Sequence, residues 1–142
     1  MRFTFGVIVL LLGLLAWAGQ TLSWLVPKTA QKYGLMEAEE DVDPVFWADI
    51  RGEAAWDAFT LWSAVAAGFL LIVDNAAWPY FGLAAGGAYL YFAGRGILAR
   101  MAMIRRGLRI GSTQSVNTGL VFLGIWAVMG LALIVTSVVE LS

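Results

Sequence analysis

The chain has 142 residues, one domain's worth, with 61% hydrophobic residues, 13% charged residues and a formal net charge of −1. Soluble domains carry about 45–50% apolar and about 25% charged residues, so this apolar excess calls for lipid as its solvent. A net charge near zero offers no field for nucleic acid, and the lack of Cys and His excludes disulfides, thiolate metal sites, imidazole ligation and Cys–His nucleophile pairs.

Four apolar runs cover residues 5–26, 54–73, 76–99 and 118–139. Each is near the roughly 20 residues that a helix needs to cross a bilayer. Pro27 closes the first run, Asp74 and Asn75 separate the second from the third, and Gly111 to Ser115 separate the third from the fourth. Backbone groups in lipid must be satisfied internally, so the expected fold is all-α: a four-transmembrane-helix bundle with a cytoplasmic helical or loop extension between helices 1 and 2. Ala16-Trp17-Ala18 resembles a signal-peptide cleavage site, but the run continues through Leu22, Trp24 and Val26 and reads as a full span.

Lys28, Lys32 and Arg51 lie between the first two spans, and Arg95, Arg100, Arg105, Arg106 and Arg109 lie at or after the end of the third; the other side has Arg2. The positive-inside rule then places connections 27–53 and 100–117 in the cytoplasm and both termini outside. Trp24, Trp56 and Trp78 fall at span ends, where an indole suits the interface. Trp17, Trp62 and Trp126 lie deeper, as interfacial or as simple apolar residues.

In the first connection, Asp43-Pro44 reads as an N-cap and first-turn proline. Phe46, Trp47 and Ile50 follow at helical spacing, so a helix should start there and either lie at the interface or run into the second span. Glu37 to Asp41 reads as a solvated acidic loop, or as a docking patch for a basic partner. The segment holding Arg100, Arg105, Arg106 and Arg109 is basic and amphipathic, suited to anionic lipid headgroups.

Helical periodicity groups the polar and small residues inside the spans. Gly6, Gly13 and Gln20 share a face of the first; Glu53, Asp57, Thr60, Ala64 and Ala67 share one of the second. In the third, Ala84, Gly87, Tyr91 and Arg95 line up, and Gly82 and Gly86 form a G-x-x-x-G that permits close helix packing. Asn117, Gly124 and Thr136 are candidate interior positions of the fourth. With the predicted topology, Gln20, Glu53, Asp57, Tyr91, Arg95 and Asn117 gather in the cytoplasmic half, with Arg95 the natural partner of Glu53 or Asp57 and with Arg51 or Arg100 for a second carboxylate. Such a cluster can pin helices in register, bind the polar end of a lipid, quinone or other amphiphile, or begin an ion path, although the bilayer middle shows no continuing polar route.

Catalysis by the chain alone is not expected. Glu53-x-x-x-Asp57 is a single carboxylate pair, too few for a two-metal centre, and no phosphate-binding loop follows a strand. No cofactor is identified, quinone or lipid being the ones such a cluster could hold.

Four spans over the whole length, Arg51-Gly52-Glu53 opening the second and Gly94-Arg95 near the end of the third resemble the DoxX-like group of small bacterial membrane proteins. The resemblance implies a bacterial inner-membrane location and makes Glu53 and Arg95 the residues of interest. Some members of that group are linked to quinone-dependent oxidation of sulfur compounds. Three functions are therefore expected in turn: an accessory subunit of a membrane assembly or homo-oligomer, a binder or carrier of a lipid-like or quinone-like molecule, and an oligomeric pore or transporter. The expected partners are membrane lipids and other membrane subunits or copies of the chain, not nucleic acid.

Overall fold

The computed structural model describes residues 1–142 and is all helical, with helices α1 (Arg2–Leu25), α2 (Pro27–Lys32), α3 (Pro44–Thr60), α4 (Trp62–Ile72), α5 (Trp78–Arg105) and α6 (Thr113–Leu141). Pro27 ends α1 and opens α2, as its fixed φ and missing N–H favour a first-turn position. Gly34 and Gly107 adopt φ of +68° and +73° just past the ends of α2 and α5, a conformation that costs glycine least.

Three helices are long and apolar enough to cross a membrane: α1 with 24 residues, α3 continued by α4 over Pro44–Ile72 with 29, and α6 with 29. The expected four spans are thus reduced to three on this measure. α5 has the length, at 28 residues, but its glycines, tyrosines and arginines dilute its apolar character. The second span is also longer than the expected 54–73, because the helix expected from Pro44 continues into it, with a break at Leu61. α6 begins at Thr113 and not near residue 118, with the Ser112 hydroxyl accepting from Ser115 N at 3.2 Å.

The helices pack in the order α1, α4, α5, α6, with α3 also resting on α1. Glycines set the two closest approaches. A Cβ on Gly68 of α4 would lie 2.6 Å from the Leu10 nitrogen of α1, and one on Gly86 of α5 would lie 2.7 Å from the Gly130 carbonyl of α6. Gly82 sits against Ser137 in the same α5–α6 seam. Both residues of the G-x-x-x-G thus face a neighbouring helix, where small side chains let backbones approach.

Aromatic donors cross-link the interior. Tyr89 Oη donates to the carbonyls of Leu61 at 3.2 Å and Gly13 at 3.3 Å. Trp17 Nε1 donates to Ala58 O at 2.9 Å, and Trp126 Nε1 to Leu12 O at 3.1 Å. Trp17 and Trp126 therefore hold helices together through their N–H groups. Of the span-end tryptophans, Trp56 is exposed and Trp24 packs on Phe59, whereas Trp78 is buried in the bundle and not placed at a surface.

Two ends close the bundle. At one, Arg2 reaches Asp74 at 3.3 Å and Glu140 at 2.6 Å, joining α1, the α4–α5 turn and α6. At the other, Val42, Phe46, Ile50 and Ile110 form a small second core that seats the α2–α3 segment on the α5–α6 connection. Asp43 occupies the expected N-cap position of α3, but its carboxylate makes no cap bond and instead accepts from Arg109 N, while Asp43 N donates to Arg109 O at 2.7 Å. In the acidic loop Glu39, Glu40 and Asp41 are exposed, but Glu37 turns inward and accepts from the Ser115 hydroxyl.

Candidate functional site

The site grows from one face of α3. Asp49, Glu53 and Asp57 recur at every fourth position, so their carboxylates climb one side of the helix toward α5. Arg95 of α5 answers them. Its guanidinium binds Asp49 through both terminal nitrogens, one of them 3.2 Å from Oδ2, and Nη1 lies 3.0 Å from Glu53 Oε1. Arg100, one and a half turns further on, places Nη1 4.0 Å from Glu53 Oε2. Gly96 gives it room to fold back: Arg100 Nη1 donates to the Gly96 carbonyl at 3.0 Å, and its guanidinium stacks 5.7 Å over Phe46. Arg100 is thus turned into the bundle, while Arg105, Arg106 and Arg109 stay exposed. Arg51 serves none of these carboxylates and donates to the Ser23 carbonyl at the end of α1.

Asp57 is the exception. It is 2% exposed, and its Oδ2 is buried with no hydrogen-bond partner. Both guanidiniums are engaged with Asp49 and Glu53, one helical turn or more away.

Two cavities meet at this cluster. The larger, about 730 Å³, is a cleft between α1 and α6 roofed by the α2–α3 segment. Gln20, Phe122 and Trp126 line its sides, and Glu53, Phe92 and Arg100 lie at its α3–α5 wall. The smaller, about 200 Å³, lies between α3 and α5 and is lined by Gly52, Trp56, Asp57, Tyr91 and Arg95, with Glu53 and Phe92 shared between the two. Trp56 and Tyr91, 61% and 60% exposed, form its rim.

The six residues expected to share one pocket are therefore divided. Gln20 belongs to the cleft; Asp57, Tyr91 and Arg95 belong to the small pocket; Glu53 borders both. Asn117 is exposed and lines neither. The stripe Ala84, Gly87 and Tyr91 faces outward, and in α6 Thr136 is exposed; the inward faces are Gly82, Ala85, Gly86, Tyr89, Phe92, Ala93 and Gly96 on α5, and Leu123, Met129, Gly130, Leu133 and Ser137 on α6.

Asp49 lies one turn before Glu53 and is not among the six residues expected at the site. Extending the carboxylate stripe by one turn toward the N-terminus reaches it. Tyr89 lies on the Gly82–Gly86 face, three positions beyond Gly86, which is the signal that marks it as interior.

No family model matches the chain, and neither does any curated protein or solved structure.

Proposed function

We propose that the protein is a membrane-embedded binder or carrier of an amphipathic molecule of the lipid or quinone kind, held in the cleft between α1 and α6. The observation that carries this reading is the cleft itself: about 730 Å³, within the range of ligand sites, with aromatic sides and the Glu53–Arg100 pair at one wall. An apolar body would lie along Phe122 and Trp126 while its polar end meets Gln20, Glu53 and Arg100. In this reading α5 also spans the membrane, as the third of four spans, the loop end carrying Arg105, Arg106 and Arg109 faces the cytoplasm of a bacterial inner membrane and rests on anionic headgroups, and both termini lie outside.

The test is gentle extraction followed by native mass spectrometry. Gly19 and Gly119 line the cleft, and a Cβ on either meets nothing within 4 Å, so Gly119→Leu fills the cleft at little cost to packing. The wild-type protein should retain a small molecule and Gly119→Leu should release it. An empty wild-type protein, or a variant that keeps the molecule, would count against the proposal.

A second reading, association with copies of itself or with other membrane subunits, is favoured by Gly87. It faces outward on α5 between Ala84 and Tyr91 with nothing within 4 Å of a Cβ placed there, and a small residue on an outward face lets a partner helix approach closely. Gly87→Leu should then shift a cross-linked oligomer in native membranes to monomer.

A further inference from the structure

We propose that the small pocket between α3 and α5 binds the protonated amino group of a primary amine, with Asp57 as its counter-ion. The pocket adjoins the α1–α6 cleft at Glu53 and Phe92, but Trp56, Asp57, Tyr91 and Arg95 line only the pocket, and the assignment does not depend on what fills the cleft. Three carboxylates, Asp49, Glu53 and Asp57, face two guanidiniums, Arg95 and Arg100. Arg95 is committed to Asp49 and Glu53, and Arg100 approaches only Glu53. The uncompensated charge is Asp57, buried at 2% exposure with Oδ2 lacking any partner. A buried carboxylate without a counter-charge is expensive, and a cation placed against it removes that cost.

The chemistry of the walls selects the kind of cation. Asp49, Glu53 and Asp57 do not converge as a metal-binding group. Trp56, Tyr91 and Phe92 line the same pocket as Asp57, and aromatic faces beside a carboxylate suit an alkylammonium through cation–π attraction. Oδ2 has no donor in the structure, and a primary ammonium supplies both a donor and the missing positive charge. A space of about 200 Å³ admits a small head group and no more. Its rim, Trp56 and Tyr91, is exposed, so the amine can enter as a free small molecule or as the head group of an aminophospholipid in the surrounding membrane.

Two arms test this and separate the sources. Isothermal titration of the detergent-solubilised protein with ethanolamine hydrochloride, against sodium chloride at equal ionic strength, reads the free amine. Native mass spectrometry from nanodiscs of mixed phosphatidylethanolamine and phosphatidylglycerol reads the lipid. Saturable binding in the first arm, or selective retention of phosphatidylethanolamine in the second, is expected. Asp57→Asn should weaken it by about tenfold or more, the scale of one charge-assisted contact. Trp56→Leu, a change at an exposed position, should weaken it several-fold and gives a readout even where Asp57→Asn misfolds. Gly119→Leu, which fills the other cavity, should leave it unchanged. Absence of binding in both arms, or full binding by Asp57→Asn or by Trp56→Leu, would overturn the assignment.

Discussion

Tyr89 Oη lies 3.2 Å from the carbonyl of Leu61, the residue at which α3 ends and α4 begins. The same hydroxyl reaches Gly13 O at 3.3 Å, and Trp17 donates to Ala58 O one turn earlier. The break in the long second span is thus held from two sides by donors on α1 and α5. Tyr89→Phe keeps the ring and removes only the hydroxyl. It should lower stability by about 0.5–1.5 kcal/mol, the net contribution of such bonds. Unfolding in mixed micelles checks this; an unchanged midpoint would mean that the break is held by packing alone.

Gly86 and Gly87 are neighbours in sequence with opposite surroundings. A methyl group on Gly86 meets the Gly130 carbonyl at 2.7 Å, whereas one on Gly87 meets nothing within 4 Å. Gly86→Ala should force α5 and α6 apart and cost about 1–3 kcal/mol, the range for overpacking. Gly87→Ala should be neutral or stabilising by up to about 1 kcal/mol in the monomer, as the better helix former. Comparing the two unfolding midpoints decides it, and equal effects would contradict the α5–α6 packing described above.

How far the sequence foretold this arrangement differs from one element to the next. Apolar runs set the helices, because lipid leaves the backbone no alternative, and the period of α3 and α4 put Glu53, Asp57, Ala64 and Ala67 on one buried face. Helix ends were less legible. The start at Pro44 was marked by Asp43-Pro44, but whether that helix lies at the interface or continues into the second span depends on the packing of Phe46, Trp47 and Ile50 with Ile110, more than fifty positions away. In α5 the rotation was legible only through the glycines. Tyr89 and Tyr91 stand two positions apart, about 200° round the helix, and the stripe of Gly82 and Gly86 decides that Tyr89 points inward and Tyr91 outward. In α6, where Gly130 alone makes the close crossing, Asn117 and Thr136 suggested the wrong face. Which carboxylate Arg95 would choose depends on the vertical offset of α3 against α5, and no local pattern encodes that.

Asp49 takes the Arg95 guanidinium with two hydrogen bonds and is itself only partly buried, while Glu53 shares it from a more enclosed position. Loss of the guanidinium therefore leaves Glu53 with only the longer, 4.0 Å approach of Arg100. Arg95→Ala should cost about 3 kcal/mol, the low end for breaking a buried pair, because the arginine remains about a third exposed. Asp49→Asn should cost clearly less, since it leaves Arg95 paired with Glu53. Unfolding of both variants and of the double mutant measures the coupling; strictly additive effects would mean that the two residues act independently.

Glu37 gives the loop end a pH dependence of definite sign. Burial against the α5–α6 connection raises its carboxyl above the ordinary value of 4.5, and neighbouring Asp41 raises it further. The folded protein therefore holds this proton to a higher pH than the unfolded chain does. Between 4.5 and the raised folded value the folded state binds more protons, so stability falls as pH rises through that window. Below the window the penalty is absent, and above it the penalty is complete, with the Ser115 hydroxyl bond offsetting part of the burial. Glu37→Gln keeps an acceptor for Ser115 and removes the charge. The variant's stability relative to wild type should thus rise as pH increases from below 4.5 toward neutrality, then level off. Thermal unfolding of both proteins across that range measures the difference. A difference independent of pH would show that Glu37 is solvated in the folded state, and one of opposite sign would show that an unseen positive group stabilises its charge.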